Sequence, residues 1–259
     1  MSYSFKDDPD LFSRQQVQQF TGVPDDVLQF WLKQGLLRPV EASSRKHRRF
    51  MPEQLQLAVI LNELRSLGAN VGVLRKFSDM FHGGRELLRL AASRAMEKPD
   101  GQNGLDLRAI VALASSFVSN DRGLKVNGRL PPKMSRAQII ESHREFWGEL
   151  CSESLIIEIA GELSDYEISA LSVWADIQDI DQGADNCAWL FWIEPSGEPR
   201  LASGVVNEFA LRGHRHPRSA FYIGISECLG EITTKLKNHD AANRRAEAAD
   251  RPPVHGSST

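Results

Sequence analysis

The sequence predicts an α+β protein, and three features support that fold class. Apolar residues recur at every third or fourth position through most of the first 150 residues, as expected for helices. From about residue 153 the pattern changes to short apolar runs bounded by Gly, Pro and Ser, which is typical of strands. Two such runs flank Pro195–Glu198, so a hairpin is expected there. We therefore expect a helical amino-terminal part and a carboxy-terminal α/β part with an antiparallel sheet.

Length and composition indicate a soluble globular protein. The 259 residues are 41% hydrophobic and 25% charged, and the formal net charge is −3. These values exclude a protein whose whole surface is basic. No apolar run approaches the ~20 residues that a membrane span requires, and the first residues are polar and acidic. We expect a cytoplasmic protein with no membrane partner.

The cysteines and the known catalytic motifs give no sign of a metal or cofactor. Cys151, Cys187 and Cys228 are odd in number and far apart, which matches neither a zinc site nor a disulfide framework. The chain has no P-loop, dinucleotide fingerprint or nucleophile elbow. We therefore expect no catalytic site, no metal site and no cofactor.

Residues 13–35 predict two short helices joined by a tight turn. Ser13 is placed to cap the first helix, and Gly22 supplies the positive φ that such a turn requires. Pro24 can occupy the first turn of the second helix, which we expect to end at Gly35.

A basic loop follows the second helix. From Arg38 to Arg49 the chain holds five Arg or Lys and one Glu, hence a local net charge of +4. Residues 40–50 have the length and composition of a two-stranded wing. Two short helices beside a cationic loop allow a small domain to enter the DNA major groove while it binds phosphates. The pattern predicts a winged helix-turn-helix domain.

Spacing along the rest of the chain predicts further elements. We expect helices over residues 52–68, 70–81, 86–96, about 105–120 and 135–150, with breaks at 98–104 and 121–133. We expect strands at 155–159, 169–174, 187–193, 200–206 and 221–225, and a closing helix over 227–237. A single long helix from Phe221 to Leu236 fits the last segment as well.

These elements divide the chain into four predicted parts. They are a DNA-binding domain over residues 1–82, a helical linker or dimerisation region over 83–150, an α+β domain over 151–238, and a disordered tail over 239–259.

Three groups of carboxy-terminal side chains could form a site, and each has a simpler explanation. We expect the first group, four acidic residues, to lie in a solvated loop: Asp176, Asp179, Asp181 and Asp185. The loop from His214 to Arg218 could hold an anion or a metal, but two histidines alone are a weak signal. Four aromatic residues could line an effector pocket and are more typical of a core: Trp174, Trp189, Phe191 and Trp192.

Residues 11–82 resemble the winged-helix DNA-binding domain of the MerR family of bacterial transcription regulators. The matching landmarks are Phe12–Val17, Thr21–Val23, Leu28 with Phe30–Trp31, Gly35–Pro39, Arg48–Phe50 and Leu64–Gly68. They occur in the family's order and cover about 70 of the 259 residues. Gln29 stands where the family has an arginine that meets a phosphate.

The resemblance implies that double-stranded DNA is the partner. Candidate base-reading residues lie on the two helices: Arg14, Gln15, Gln16, Gln18, Gln29 and Lys33. Gln can contact adenine and Arg can contact guanine bidentately, although solvation of a polar helix face explains any one of them equally well. Candidate phosphate contacts lie on the basic loop: Arg38, Arg45, Lys46, Arg48 and Arg49.

The resemblance also implies a homodimer on a pseudo-palindromic site, in which the apolar helices after Gly68 supply the dimer seam, with pairing through the carboxy-terminal domain as the alternative. Apart from the resemblance, we expect the carboxy-terminal domain to serve oligomerisation or the sensing of a small-molecule or protein effector. Two other functions stay open. The chain could be an architectural DNA-binding protein of a phage or mobile element, such as an excisionase or a packaging subunit. It could also be an enzyme or ligand-binding module that the amino-terminal domain merely localises.

Overall fold

The computed structural model describes residues 11–40, 48–96, 106–122, 133–144, 152–185, 187–204 and 219–249, apart from the side chains of 240 and 243–249. The helices are α1 (Arg14–Thr21), α2 (Asp25–Lys33), α3 (Pro52–Ser66), α4 (Val71–Met96), α5 (Leu107–Arg122), α6 (Arg136–His143), α7 (Glu153–Glu162), α8 (Asp165–Asp181) and α9 (Ile225–Ala249). The strands are β1 (Phe12–Ser13), β2 (Arg49–Phe50), β3 (Ala188–Ile193), β4 (Pro199–Gly204) and β5 (Phe221–Ile223). The predicted α+β class is confirmed.

The predicted pair of amino-terminal helices is present. Ser13 caps α1 in a capping box with Gln16, in which each side chain bonds the other residue's backbone N–H. Gly22 closes α1 with a φ of 70°, a conformation that a residue with a Cβ rarely adopts. Pro24 stands one position earlier than expected, as the cap that precedes α2.

The helix α4 replaces two predicted helices. Asn70 caps it as expected, since its Oδ1 accepts a hydrogen bond from Val73 N at 3.1 Å. The helix then continues through Gly83 and Gly84 to Met96, where we expected an interruption. Gly84 is buried against α8, and this packing offsets the low helix propensity of glycine.

Two predicted strands are helices, and both predictions were wrong. Residues 155–159 belong to α7 and residues 169–174 belong to α8. A short apolar run does not distinguish a buried helix from a strand. Ser164 caps α8 in a capping box with Glu167, a signal that starts a helix just before the second run.

The predicted hairpin is confirmed as β3 and β4, and it belongs to an antiparallel sheet with the order β4-β3-β5, in which β3 is central. Its register pairs Ile193 with Pro199 at the turn and Ala188 with Gly204 at the far end. The turn is fastened to α4, because Lys76 Nζ donates to the backbone oxygen of Gly197.

The segment after β5 is a separate helix, so the alternative of one long helix from Phe221 was wrong. The helix α9 begins at Ile225 and continues to Ala249. We expected disorder from His239 onward because apolar periodicity is lacking there. Ala, Arg and Glu are strong helix formers, and this propensity explains the extension.

The predicted solvated loop was wrong for three of the four acidic residues, whereas Asp185 is exposed after the end of α8, as expected. Asp176, Asp179 and Asp181 lie on α8, and Asp176 is completely buried. Its Oδ2 accepts a hydrogen bond from Trp189 Nε1 at 2.6 Å, and its Oδ1 lies 2.7 Å from an Arg108 nitrogen. Arg108, on α5, therefore compensates a buried charge, as burial of a carboxylate requires.

One hydrophobic cluster connects the amino-terminal helices with the carboxy-terminal elements. It includes Phe12, Leu61, Phe81, Trp189 and Ile232. Within it α4 packs along α8, and α9 packs along α3. Trp174, Trp189 and Phe191 lie in this core, in agreement with the simpler of the two explanations for the aromatic group. Among the described helices, none is long and apolar enough to cross a membrane.

Candidate nucleic-acid interface

An open cleft of about 780 Å³ lies between α1, α2 and β2. Its lining is mostly polar, and it consists of Ser13, Arg14, Gln15, Gln18, Asp25, Gln29, Leu32, Lys33, Arg48 and Arg49. Seven of the eleven predicted DNA-binding residues are among these ten. Four Arg or Lys side chains face one carboxylate, so the cleft has the charge that a polyanion requires.

The pairing of β1 with β2 brings the basic loop to the helices. Phe12 pairs with Phe50 and Ser13 pairs with Arg49, which places Arg48 and Arg49 beside the start of α1. Val40 N also donates a hydrogen bond to Arg49 O at 2.8 Å, and this bond joins the two ends of the basic loop. Residues 41–47, with the predicted phosphate contacts Arg45 and Lys46, lie outside the described residues.

Three cleft residues form a hydrogen-bonded network. Arg14 Nε lies 3.0 Å from Asp25 Oδ1, and Gln29 Nε2 donates to Asp25 Oδ2 at 2.7 Å. Arg14 comes from α1, whereas Asp25 and Gln29 are one turn apart on α2. The network thus fixes two predicted base-reading side chains relative to each other.

Two predicted contact residues are not part of the cleft lining. Gln16 is half-buried, and its Oε1 accepts the Ser13 backbone N–H at 2.8 Å as part of the α1 cap. The Arg38 side chain is exposed near α4, with a nitrogen 3.3 Å from Asp79 Oδ1. Their predicted contacts with DNA stay predictions, and the local geometry gives each of them another partner.

Comparison with protein families identifies the region that contains the cleft. Residues 12–80 match the model of the MerR HTH family regulatory proteins. The match includes α1, α2, α3 and the first part of α4, and it agrees with the resemblance seen in the sequence. It supports the function of a DNA-binding transcription regulator. Comparisons with curated proteins and with solved structures gave no match.

A compact core lies under the cleft of this MerR-type region. Val17, Leu28, Trp31 and Phe50 are each at most 1% exposed. Val17 on α1 and Leu28 with Trp31 on α2 face this core, and polar residues on other faces of the two helices line the cleft. These side chains hold the two helices in place beneath the cleft.

The chain segment that leaves α2 is fastened to α4. Ser78 Oγ donates to the backbone oxygen of Leu36 at 2.7 Å, and His82 Nε2 lies 3.4 Å from the same oxygen. Burial, together with the positive charge of Arg38, lowers the pKa of His82 to about 4. The imidazole is therefore neutral at physiological pH, and its Nε2–H can donate to Leu36.

Asp25 is the charged residue of the cleft lining that sequence reasoning missed as a site residue. Its spacing of four from Gln29 was a visible signal, because residues four apart are neighbours on a helix. Its pairing with Arg14 depends on the angle between α1 and α2, which the sequence does not specify.

The described residues contain no group of three or more His, Cys, Asp or Glu that could hold a metal ion. Burial raises the pKa of Cys187 to about 11 and that of Cys228 to about 12, so both are protonated thiols at neutral pH. Cys151 and the loop 214–218 lie outside the described residues.

Proposed function

We propose that the chain regulates transcription by binding duplex DNA through the cleft, as a homodimer, with α2 in the major groove. The carboxy-terminal part serves effector sensing or oligomerisation, and the protein acts by binding rather than by catalysis. The observation that carries the proposal is the convergence of Arg14, Lys33, Arg48 and Arg49 on one cleft within the MerR-type region.

The arrangement of the cleft supports separate roles for its residues. Gln29 and Lys33 are one turn apart on α2 and can face base edges, as residues on a recognition helix do. Arg48 and Arg49 lie at the side, on β2 and just before it, where a phosphate backbone would pass. Such contacts hold the helix in register, and they carry no sequence information themselves.

Contacts between α9 and α1 support a role for the carboxy-terminal part in regulation. Lys235 Nζ donates to Phe20 O at 3.2 Å, at the end of α1. The His239 ring packs against Phe12 and Phe20, with centroids 5.2 and 5.6 Å away. A change in the position of α9 would therefore act directly on a helix that lines the cleft.

The double substitution Arg48→Ala/Arg49→Ala tests the proposal. We expect weaker binding to every duplex sequence, because phosphate contacts are lost. The slope of log affinity against log salt should become shallower by about one to two, since each phosphate contact contributes about 0.9. A filter-binding titration across salt concentrations measures both effects.

The matched control removes two exposed arginines outside the MerR-type region, in Arg89→Ala/Arg144→Ala. This control should keep the wild-type slope. An unchanged slope in the cleft variant would contradict the phosphate assignment, and absence of any duplex binding at low ionic strength would contradict the proposed function. Sedimentation of the wild-type complex should show two protomers per duplex.

A further inference from the structure

Asp25 is an unusual residue for a surface that binds phosphates. Its carboxylate lies in the cleft among four cationic side chains, where it reduces the attraction for any duplex. Yet both of its oxygens are engaged, one by Arg14 and the other by Gln29. A side chain that lowers the general affinity for DNA while it orders two base-reading neighbours is placed to influence which sequence is bound.

We propose that Asp25 is a specificity-determining residue, which holds Gln29 in the conformation that reads adenine and restrains Arg14 from binding phosphates at random. This inference rests on the proposed function and identifies the residue that makes the same cleft selective.

The orientation of the Gln29 amide follows from the chemistry of its partner. An ionised carboxylate only accepts hydrogen bonds, so the amide nitrogen of Gln29, and not its oxygen, must face Asp25. One N–H is used in that bond. The other N–H and the carbonyl oxygen stay available, and these are the donor and acceptor that match N7 and N6–H₂ of adenine.

Order in the free protein increases discrimination. A glutamine side chain that is free to rotate can adapt its donor and acceptor to several bases, and it loses rotamer entropy when it binds any of them. When Asp25 holds the Gln29 side chain in place, Gln29 binds an adenine without losing this rotamer entropy. A different base leaves a donor or an acceptor of the amide without a partner.

Arg14 contributes through its charge. Its pair with Asp25 has no net charge, so it adds little to the sequence-independent attraction of the phosphates. The bond uses Nε, and the outer guanidinium nitrogens can still reach a base edge. Without Asp25 the same arginine is a mobile cation that binds the nearest phosphate.

The test compares two duplexes in the full-length protein. One duplex is enriched from a random pool by the wild type, and the other is its scrambled version. With Asp25→Asn we expect the preference for the enriched duplex to fall roughly fivefold to hundredfold, the range of one bidentate base contact. Binding to the scrambled duplex should tighten, and its salt slope should steepen by about one.

Asp26→Asn is the matched control. Asp26 is the next residue of α2 and is exposed, and within the described part of the chain none of its hydrogen bonds or ion pairs involves Arg14 or Gln29. It removes the same charge from the same helix turn. We expect it to keep the wild-type preference between the two duplexes, even if both are bound somewhat more tightly.

A double-mutant cycle with Gln29→Ala shows whether Asp25 acts through Gln29. If it does, Asp25→Asn should change the preference far less once Gln29 is absent. The inference is overturned if the wild type enriches a duplex and the Asp25→Asn variant shows the same preference for it. The proposed function would still stand in that case. If the effects of Asp25→Asn and Gln29→Ala on the preference are additive, Asp25 does not act through Gln29. A wild type that binds no duplex at low ionic strength overturns the proposed function and the inference with it.

Discussion

At the scale of single residues, His82 makes the stability of the MerR-type region depend on pH. An unperturbed histidine has a pKa of 6.5, and burial lowers that of His82 to about 4. As the pH falls, the unfolded chain therefore takes up the proton first. The stability that the neutral imidazole contributes is fully present above pH 6.5 and is lost as the pH falls from there towards 4.

Comparison of the wild type with His82→Gln measures this effect. Glutamine keeps an N–H for the Leu36 carbonyl but does not titrate in this range. Urea unfolding between about pH 7 and pH 4.5 should show the wild type losing about 2 to 3 kcal/mol more than the variant, since each pH unit corresponds to about 1.4 kcal/mol. Parallel profiles for the two proteins would show that His82 is not responsible.

The residue types in the sequence predicted most of the cleft lining, but they did not predict which side chains bond to each other within the protein. Arg14, Gln29 and Lys33 were predicted from the family resemblance and from their place on α1 and α2, and they line the cleft. Gln16 has the same chemistry as Gln15, but its position three residues after Ser13 makes it a capping residue. Asp176 gave no sequence signal of burial, because its compensating cation is 68 residues earlier in the chain.

At the scale of elements, Gly84 allows α4 and α8 to approach closely. A Cβ placed on Gly84 would lie 2.7 Å from Trp174 Cδ1 and even closer to the backbone oxygen of Ala170. Trp174 also donates a hydrogen bond to Phe81 O at 2.9 Å, so its indole cannot move without cost. We expect Gly84→Ala to destabilise the protein by about 1 to 3 kcal/mol, although alanine is the better helix former.

Gly230→Ala is the control for helix propensity. Gly230 lies in α9, and a Cβ there would meet no atom within 4 Å. The substitution should be neutral or stabilising by up to about 1 kcal/mol. Chemical denaturation of both variants compares the two glycines, and equal effects would contradict the role of close packing at Gly84.

Local signals predicted the elements that depend on local chemistry. The cap at Ser13, the turn at Gly22 and the hairpin turn at Pro195–Glu198 all appear as expected, because each depends on residues a few positions apart. The helix α7 was missed because its apolar run is short, although its buried residues have helical spacing. The helix α8 was missed because its apolar run is buried on more than one side. Burial of that kind is set by packing partners elsewhere in the chain, such as α4 and α5.

At the scale of the whole molecule, the MerR-type region shares its core with the carboxy-terminal part. The apolar side of α3 is covered by α9, and that of α4 is covered by α8. The sequence indicated separate domains because its apolar pattern changes at about residue 153, and that division stays a prediction. A shared core has a thermodynamic consequence, because helices that bury each other's apolar surface lose stability together.

We therefore expect α3 and α8 to unfold in one cooperative step. Native-state hydrogen exchange should give peptides from both helices the same opening free energy. Ile232→Ala, in the buried face of α9, should lower both values by about 2 to 5 kcal/mol, whereas the exposed Thr234→Ala should change each by less than about 0.5 kcal/mol. If Ile232→Ala lowered protection in α8 and left α3 unchanged, the amino-terminal region would be an independent unit. An effector bound by the carboxy-terminal part would then have to reach the cleft through the linking segments rather than through the core.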